Sequence, residues 1–167
     1  MDRRGVEQAS ARLTLPDLAA TRALAARLAR ELRPGDLVLL EGDLGAGKTE
    51  LARAVIRTRA GAPITVPSPT FTILQSYELP GLEIGHADLY RITDPGELLE
   101  LGLEEWMTRG ALLVEWPDRA ATLWPAERLM VTLASVPEDP GARAVTLAGN
   151  GRWARLIATL ADGSVPG

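Results

Sequence analysis

The eight residues Gly42-Asp43-Leu44-Gly45-Ala46-Gly47-Lys48-Thr49 match the pattern G-x-x-x-x-G-K-[ST] without a gap. Nothing else in the chain restricts its fold so tightly, because such a loop works only between a buried strand and a helix. The flanks supply both. Leu37-Val38-Leu39-Leu40 is an unbroken apolar run, suited to a strand covered on both faces in a parallel sheet. Residues 48–59 read as a helix. The glycines let backbone N–H groups turn inward around a β-phosphate, where any Cβ would intrude. In this pattern Lys48 reaches the β- and γ-oxygens and the Thr49 hydroxyl ligates Mg²⁺. The helix opening at Lys48 aims its N-terminal dipole at the anion. A glycine-rich turn without a ligand is the competing reading, and the strand–helix context weighs against it. So does one count: of 18 basic residues, Lys48 is the lone lysine.

That skew toward arginine, with abundant Ala, Gly and Pro, looks like genome composition. Other counts exclude whole classes of chemistry. With no cysteine there is no disulfide scaffold, thiolate zinc site, iron–sulfur cluster or cysteine nucleophile. A single histidine, His86, excludes a multi-histidine metal centre. The 167 residues, 46% hydrophobic and 24% charged, suit one globular domain spanning 1–167, with a frayed tail at 162–167. No apolar run approaches ~18 residues and no signal segment follows Met1-Asp2-Arg3-Arg4, so the expectation is a cytoplasmic protein without a membrane span. The net charge is −4, without a long block of either sign, so no basic face for nucleic acid is visible. Guanine-specific loops commonly read their base with Asn-Lys-x-Asp, which needs a second lysine; ATP is therefore favoured over GTP.

Strands and helices alternate along the chain. Residues 12–15 read as a strand, and Asp17 caps a helix running to about Leu32 with Leu18, Thr21, Leu24, Ala25, Leu28 and Leu32 on one face. Pro34-Gly35-Asp36 breaks it. After the loop and its helix come a β-prone stretch at 70–78 and a strand at 82–88. A helix begins at Asp94-Pro95 and stops at Gly102. Strands at 111–115, 129–134 and 144–147 precede an amphipathic helix at 152–160. Residues 137–143 read as a surface turn. The sum is an α/β domain with antiparallel additions at the sheet edge.

Further candidates follow from position. Glu115 ends a buried strand, the expected place for a second metal anchor or a group that polarises water; the alternative is a carboxylate pointing to solvent. Asp88, also at a strand end, either orients water or forms a turn. His86 reads as a packing or hydrogen-bonding residue. Ser68-Pro69-Thr70-Phe71-Thr72 either senses a γ-phosphate through a hydroxyl or is a proline-stiffened turn. Trp116 is a surface contact or a packed ring, whereas Trp106, Trp124 and Trp153 read as core or edge anchors rather than a base-stacking platform.

Four segments together, the loop at 42–49, Ser68-Pro69-Thr70-Phe71-Thr72, His86-x-Asp88-Leu89-Tyr90-Arg91 and Val114-Glu115-Trp116-Pro117, resemble the bacterial TsaE family in order and spacing. The likeness runs from about Leu13 to Leu147. It implies a P-loop NTPase fold and a small ATPase that slowly hydrolyses ATP. It further implies work with two partners, TsaD and TsaB, which place threonylcarbamoyl on the adenosine beside the anticodon of tRNA. The ATPase would meet tRNA only through that complex. By the same resemblance, Lys48 and the backbone of Gly42, Asp43, Leu44, Gly45, Ala46 and Gly47 bind phosphates. Thr49 and Glu115 hold Mg²⁺, and Asp88 assists hydrolysis. Thr21, Thr70 and Arg143, the last placed before the final strand, contact the nucleotide. Glu50 departs from the pattern, standing where a small hydroxyl residue is expected. Two other readings use the same loop: a small-molecule kinase, which needs an arginine-bearing lid, and a nucleotide-gated binding module.

Overall fold

The computed structural model describes residues 8–67, 73–94 and 96–162. In chain order its elements are β1 (Ala9–Leu15), α1 (Leu18–Glu31), β2 (Leu37–Glu41), α2 (Lys48–Ala60), β3 (Leu74–Leu79), β4 (Leu82–Asp88), α3 (Gly96–Glu100), α4 (Leu103–Met107), β5 (Gly110–Glu115), a 3₁₀ turn (Pro117–Ala120), β6 (Leu129–Val136), β7 (Asp139–Gly149) and α5 (Arg152–Ala161). The strands form one seven-stranded sheet in the order β1-β7-β6-β2-β5-β4-β3. Its centre is parallel: β2 lies between β5 and β6, and β4 continues beyond β5. Both edges are antiparallel, β3 on one side and β7 with β1 on the other. The α/β sheet with antiparallel margins is the architecture expected from the sequence.

Layering explains the unbroken apolar runs. Successive strand residues point to opposite faces, and here both faces are covered. Val38, Leu40, Leu113 and Val131 pack with Leu24 and Leu28 of α1, Leu51 and Val55 of α2, and Trp153 of α5. Leu37, Leu39, Leu112 and Val114 pack on the opposite side with Leu98, Leu103 and Trp106. Asp17 caps α1 as expected, its Oδ1 accepting from the Ala20 N–H at 2.8 Å. The irregular stretch after α2 is tied back to that helix: Arg53 Nε donates to the Val66 carbonyl at 2.8 Å and Arg57 Nε to the Ile64 carbonyl at 2.9 Å.

Four boundaries differ from the sequence reading. First, β1 starts at Ala9, because its outer half pairs with β7 in register from Ala9 opposite Gly149 onward. Second, the helix at 96 ends after one turn; Gly102, with φ of +63°, ends it and starts α4, which the sequence reading missed. Third, β3 begins at Leu74, and residues 68–72 and Pro95 lie outside the described residues, as do 163–167. Fourth, 137–143 is not a turn. The turn is confined to Pro137 and Glu138, and β7 begins at Asp139. Val136 pairs with Asp139 and Ser135 with Arg143, so residues 140–142 form a bulge. Pro140 is tolerated because β1 starts to pair with β7 only at Arg143, leaving that end an edge. Arg143 therefore sits within the last strand, not before it.

Candidate functional site

Strand register gathers the site. Glu115 stands opposite Leu40 on β2 and opposite Asp88 on β4, so the carboxyl ends of three parallel strands finish side by side. Open α/β sheets bind ligands in the crevice beyond those ends. The loop at 42–47 leaves β2 there and delivers α2 directly. A cleft of about 410 Å³ lies at this point, lined by residues 44–50 with Asp88, Glu115, Trp116 and Arg143.

The loop conformation depends on its glycines. Gly42 has φ of +150°, and a Cβ on it would lie 2.3 Å from the Leu133 carbonyl oxygen. Gly47 caps α2 in the left-handed region with φ of 106°. Lys48, only 5% exposed, curls over the loop. Its ammonium donates to the carbonyl of Gly42 and, at 2.8 Å, to that of Asp43. It also sits 4.1 Å from the centroid of the Trp116 ring, a cation–π contact. Trp116 is the one non-glycine residue with positive φ among the described residues, at 59°. That turn lets Glu115 point inward while the next ring lies over Lys48. Tyr90 packs on Trp116 with ring centroids 4.9 Å apart, and the Arg119 guanidinium lies 5.4 Å from the Tyr90 ring.

Glu115 is 2% exposed, which excludes the solvent-pointing alternative. Both of its oxygens are engaged. Thr49 Oγ1 donates to Oε1 at 2.7 Å, and the Nε2–H of His86 donates to Oε2 at 2.6 Å. His86 is fully buried, and its Nδ1 has no hydrogen-bond partner among the described residues. His86 and Asp88 lie two apart on β4 and so share a face, toward α2. The sequence reading found the hydrogen-bonding character of His86 but missed its partner; the i, i+2 spacing from Asp88 was the available signal. Asp88 proves to be both a turn former and a cleft residue: its Oδ1 accepts from the Tyr90 N–H at 2.9 Å while the residue lines the cleft.

Burial strains the charges. Desolvation lowers the Lys48 pKa, against the opposing pull of Glu115, Asp88 and Asp43. Desolvation likewise raises the Asp88 pKa, the Tyr90 N–H acting in the other direction and Glu115 in the same one. A bound anion near Lys48 and a cation near Asp88 and Glu115 would each relieve these costs. The oxygen donors suit Mg²⁺, which takes one or two protein oxygens beside phosphate and water rather than a full protein cage.

A sequence model of the family described as "Threonylcarbamoyl adenosine biosynthesis protein TsaE" matches residues 15–145. The chain belongs to the TsaE family. A TsaE protein of Rickettsia bellii is 40% identical over 119 residues, covering 71% of this chain and 83% of the relative. One of Bacillus subtilis is 39% identical over 133 residues, covering 78% and 81%. Both relatives are named for tRNA threonylcarbamoyladenosine biosynthesis. The fold also superposes on the crystal structure of Bacillus subtilis YdiB with a TM-score of 0.75 and 29% identity, over 93% of this chain and 96% of that one. The P-loop NTPase fold expected of a TsaE protein is the one found.

Within this TsaE fold, Leu44, Gly45, Ala46, Gly47, Lys48, Thr49, Asp88, Glu115 and Arg143 all line one cleft. Gly42 and Asp43 contribute carbonyls to Lys48 behind it. Arg143 reaches the cleft from the β7 bulge, where its Nη1 donates to the carbonyls of Pro140 and Ala142 at 2.8 Å each and its Nε lies 3.5 Å from the Cβ position of Gly47. Thr21 is not among the lining residues. It is buried on α1, and its hydroxyl donates to the Asp17 carbonyl at 3.4 Å. Thr70 lies outside the described residues. Glu50 lines the cleft mouth and pairs with Arg53 at 3.0 Å.

Proposed function

We propose that this chain is a single ATPase domain that binds Mg-ATP in the cleft and hydrolyses it slowly in the cytoplasm. In this reading it serves tRNA N6-threonylcarbamoyladenosine formation together with TsaD and TsaB, meeting tRNA only through them. The observation that carries the reading is the hydrogen-bonded chain from Thr49 through buried Glu115 to buried His86, set beside Lys48 at the carboxyl end of the parallel strands.

Each residue then has a task. Loop N–H groups and Lys48 hold the phosphates, and Lys48 exchanges its carbonyl partners for phosphate oxygens. Thr49 and Glu115 hold Mg²⁺, which when bound offsets phosphate charge. Asp88 accepts a hydrogen bond from the attacking water and aligns it. Arg143 lies close enough to Gly47 to meet phosphate charge. Thr21 and Thr70 are proposed as nucleotide contacts on family resemblance.

Co-sedimentation with purified TsaB–TsaD tests the reading, with and without Mg-ATP, for the wild type and Lys48→Ala. Association that needs Mg-ATP and is lost in Lys48→Ala is expected. Absence of association under every nucleotide condition would overturn the partnership while leaving nucleotide binding to be measured by itself.

A further inference from the structure

The α3–α4 side of the sheet carries a second concavity that, among the described residues, shares no lining residue with the nucleotide cleft. It is lined by Leu98, Leu99, Leu103, Met107, Leu123 and Trp124, with Glu104 and Glu105 on its rim. Leu99 is 73% exposed and Leu123 41%. At about 270 Å³ the hollow falls below the usual range for a small-molecule pocket, ~300–1,000 Å³. It matches the size of one or two inserted side chains.

Charge chooses the occupant. Residues 92–108 hold five carboxylates, Asp94, Glu97, Glu100, Glu104 and Glu105, and no Lys or Arg, against −4 for the whole chain. The leucines interleave with them, so no acidic run stands out in the sequence, yet all five carboxylates are solvent-exposed on this segment, and two of them, Glu104 and Glu105, line the hollow itself. A second copy of this chain does not suit the face, because a two-fold contact would set the same acids against each other. Nucleic acid and an anionic membrane are repelled for the same reason. A protein segment with apolar anchors flanked by Lys or Arg satisfies both the floor and the rim.

We infer that the α3–α4 face is a docking surface for a basic, apolar-anchored segment of a partner protein. The segment seats an aliphatic or aromatic side chain between Leu99, Met107 and Trp124, and its cations meet Glu104 and Glu105.

The test uses two synthetic 16-residue amphipathic peptides, one of Leu and Lys and one of Leu and Glu in the same pattern. They are titrated into the full chain by calorimetry and by backbone-amide NMR. The Leu/Lys peptide is expected to bind and to shift amides at 97–107 and 123–124, leaving those at 44–49 in place. Leu99→Ser, at a position that packs on nothing essential to the core, should weaken binding about tenfold. Glu104→Gln with Glu105→Gln should weaken it severalfold and flatten its salt dependence. Both variants should keep the wild-type melting temperature within ~2 °C and wild-type ATP affinity, so a failure here is distinct from failure at the cleft. Equal binding of the Leu/Glu peptide, shifts confined to other surfaces, an unchanged affinity in Leu99→Ser, or no binding at millimolar peptide would each overturn the inference. Sedimentation showing dimers abolished by Leu99→Ser would assign the face to a second copy and overturn it too.

Discussion

Replacing His86 is the sharpest test of how the site is held. Its Nε2–H donates to Glu115 Oε2 at 2.6 Å, and Glu115 has its other oxygen on Thr49. The pair is essentially dry, at 0% and 2% exposure. His86→Ala removes a hydrogen bond to an acidic partner, worth about 1.5–3 kcal/mol, and empties a ring-sized space in a packed layer. Breaking one side of a buried pair costs about 3–5 kcal/mol in total. For a chain of this size that lowers the melting temperature by roughly 10 °C. The functional effect is separable. Glu115 freed on one side turns away from Thr49, so affinity for Mg-nucleotide should fall about tenfold or more, as for other partners of metal-holding groups. Nucleotide binding measured in EDTA should change far less. Geometry adds a control: the amide nitrogen of Gln occupies nearly the place of imidazole Nε2, whereas that of Asn corresponds to Nδ1. His86→Gln should therefore restore most of the magnesium-dependent affinity and His86→Asn should not. Thermal melts and fluorescent-nucleotide titrations with and without Mg²⁺ check this. Equal behaviour of Gln and Asn, or an Ala variant with unchanged magnesium dependence, would refute the positioning role.

Other outcomes follow from the same geometry. Gly42→Ala meets a backbone oxygen at 2.3 Å and should cost about 2 kcal/mol or more, whereas Gly45→Ala, with φ of +79° and no described atom within 4 Å, should cost about 1 kcal/mol; equal melting temperatures would refute the clash. Thr49→Val should abolish the magnesium-dependent part of nucleotide affinity and leave the magnesium-free part, read by the same titrations. Asp88→Asn should slow ATP turnover strongly with little loss of affinity, checked by phosphate release and titration. Because burial raises the Asp88 pKa, the folded state holds its proton more tightly than the unfolded chain, and stability is lost as pH climbs from the unfolded value through the folded one. Asp88→Asn should thus raise the melting temperature at pH 7–8, with the gain shrinking toward pH 4; a constant gain would sink the desolvation argument. Lys48→Arg should lose nucleotide binding nearly as completely as Lys48→Ala in equilibrium titrations.

Legibility in the sequence tracked how locally each feature is determined. The phosphate loop, the Asp17 cap and the doubly buried runs of β2 and β5 are set by neighbours in the chain, and each lies where the residues place it. Glu115 was readable as a strand-end carboxylate for the same reason. Its bond to His86 was not, because the i, i+2 spacing from Asp88 puts His86 on the cleft face but its partner depends on the pairing of β4 with β5, a long-range choice. The β7 bulge was misread for a related cause. Pro140 and Gly141 are turn residues by propensity, and only the late start of β1 pairing lets them stay inside a strand. Arg143 owes its place at the cleft to that bulge.

The lone lysine finds its explanation in the cleft's dimensions. Nearly every cation in this chain is Arg, so the composition favours Arg at any position that merely needs positive charge. Lys48 needs more than charge. Its nitrogen sits between two loop carbonyls and under the Trp116 ring, almost out of solvent. A point-like ammonium with three rotatable donors fits that socket and can swing one donor to a phosphate without moving its stem. A guanidinium is planar and wider, and its fixed fork of donors matches a carboxylate or an exposed phosphate, not two converging carbonyls beside a ring. Arg143, reaching the cleft from the side, suits that second role. The two cations lining the cleft among the described residues thus divide between a socket that only lysine fills and an approach open to arginine.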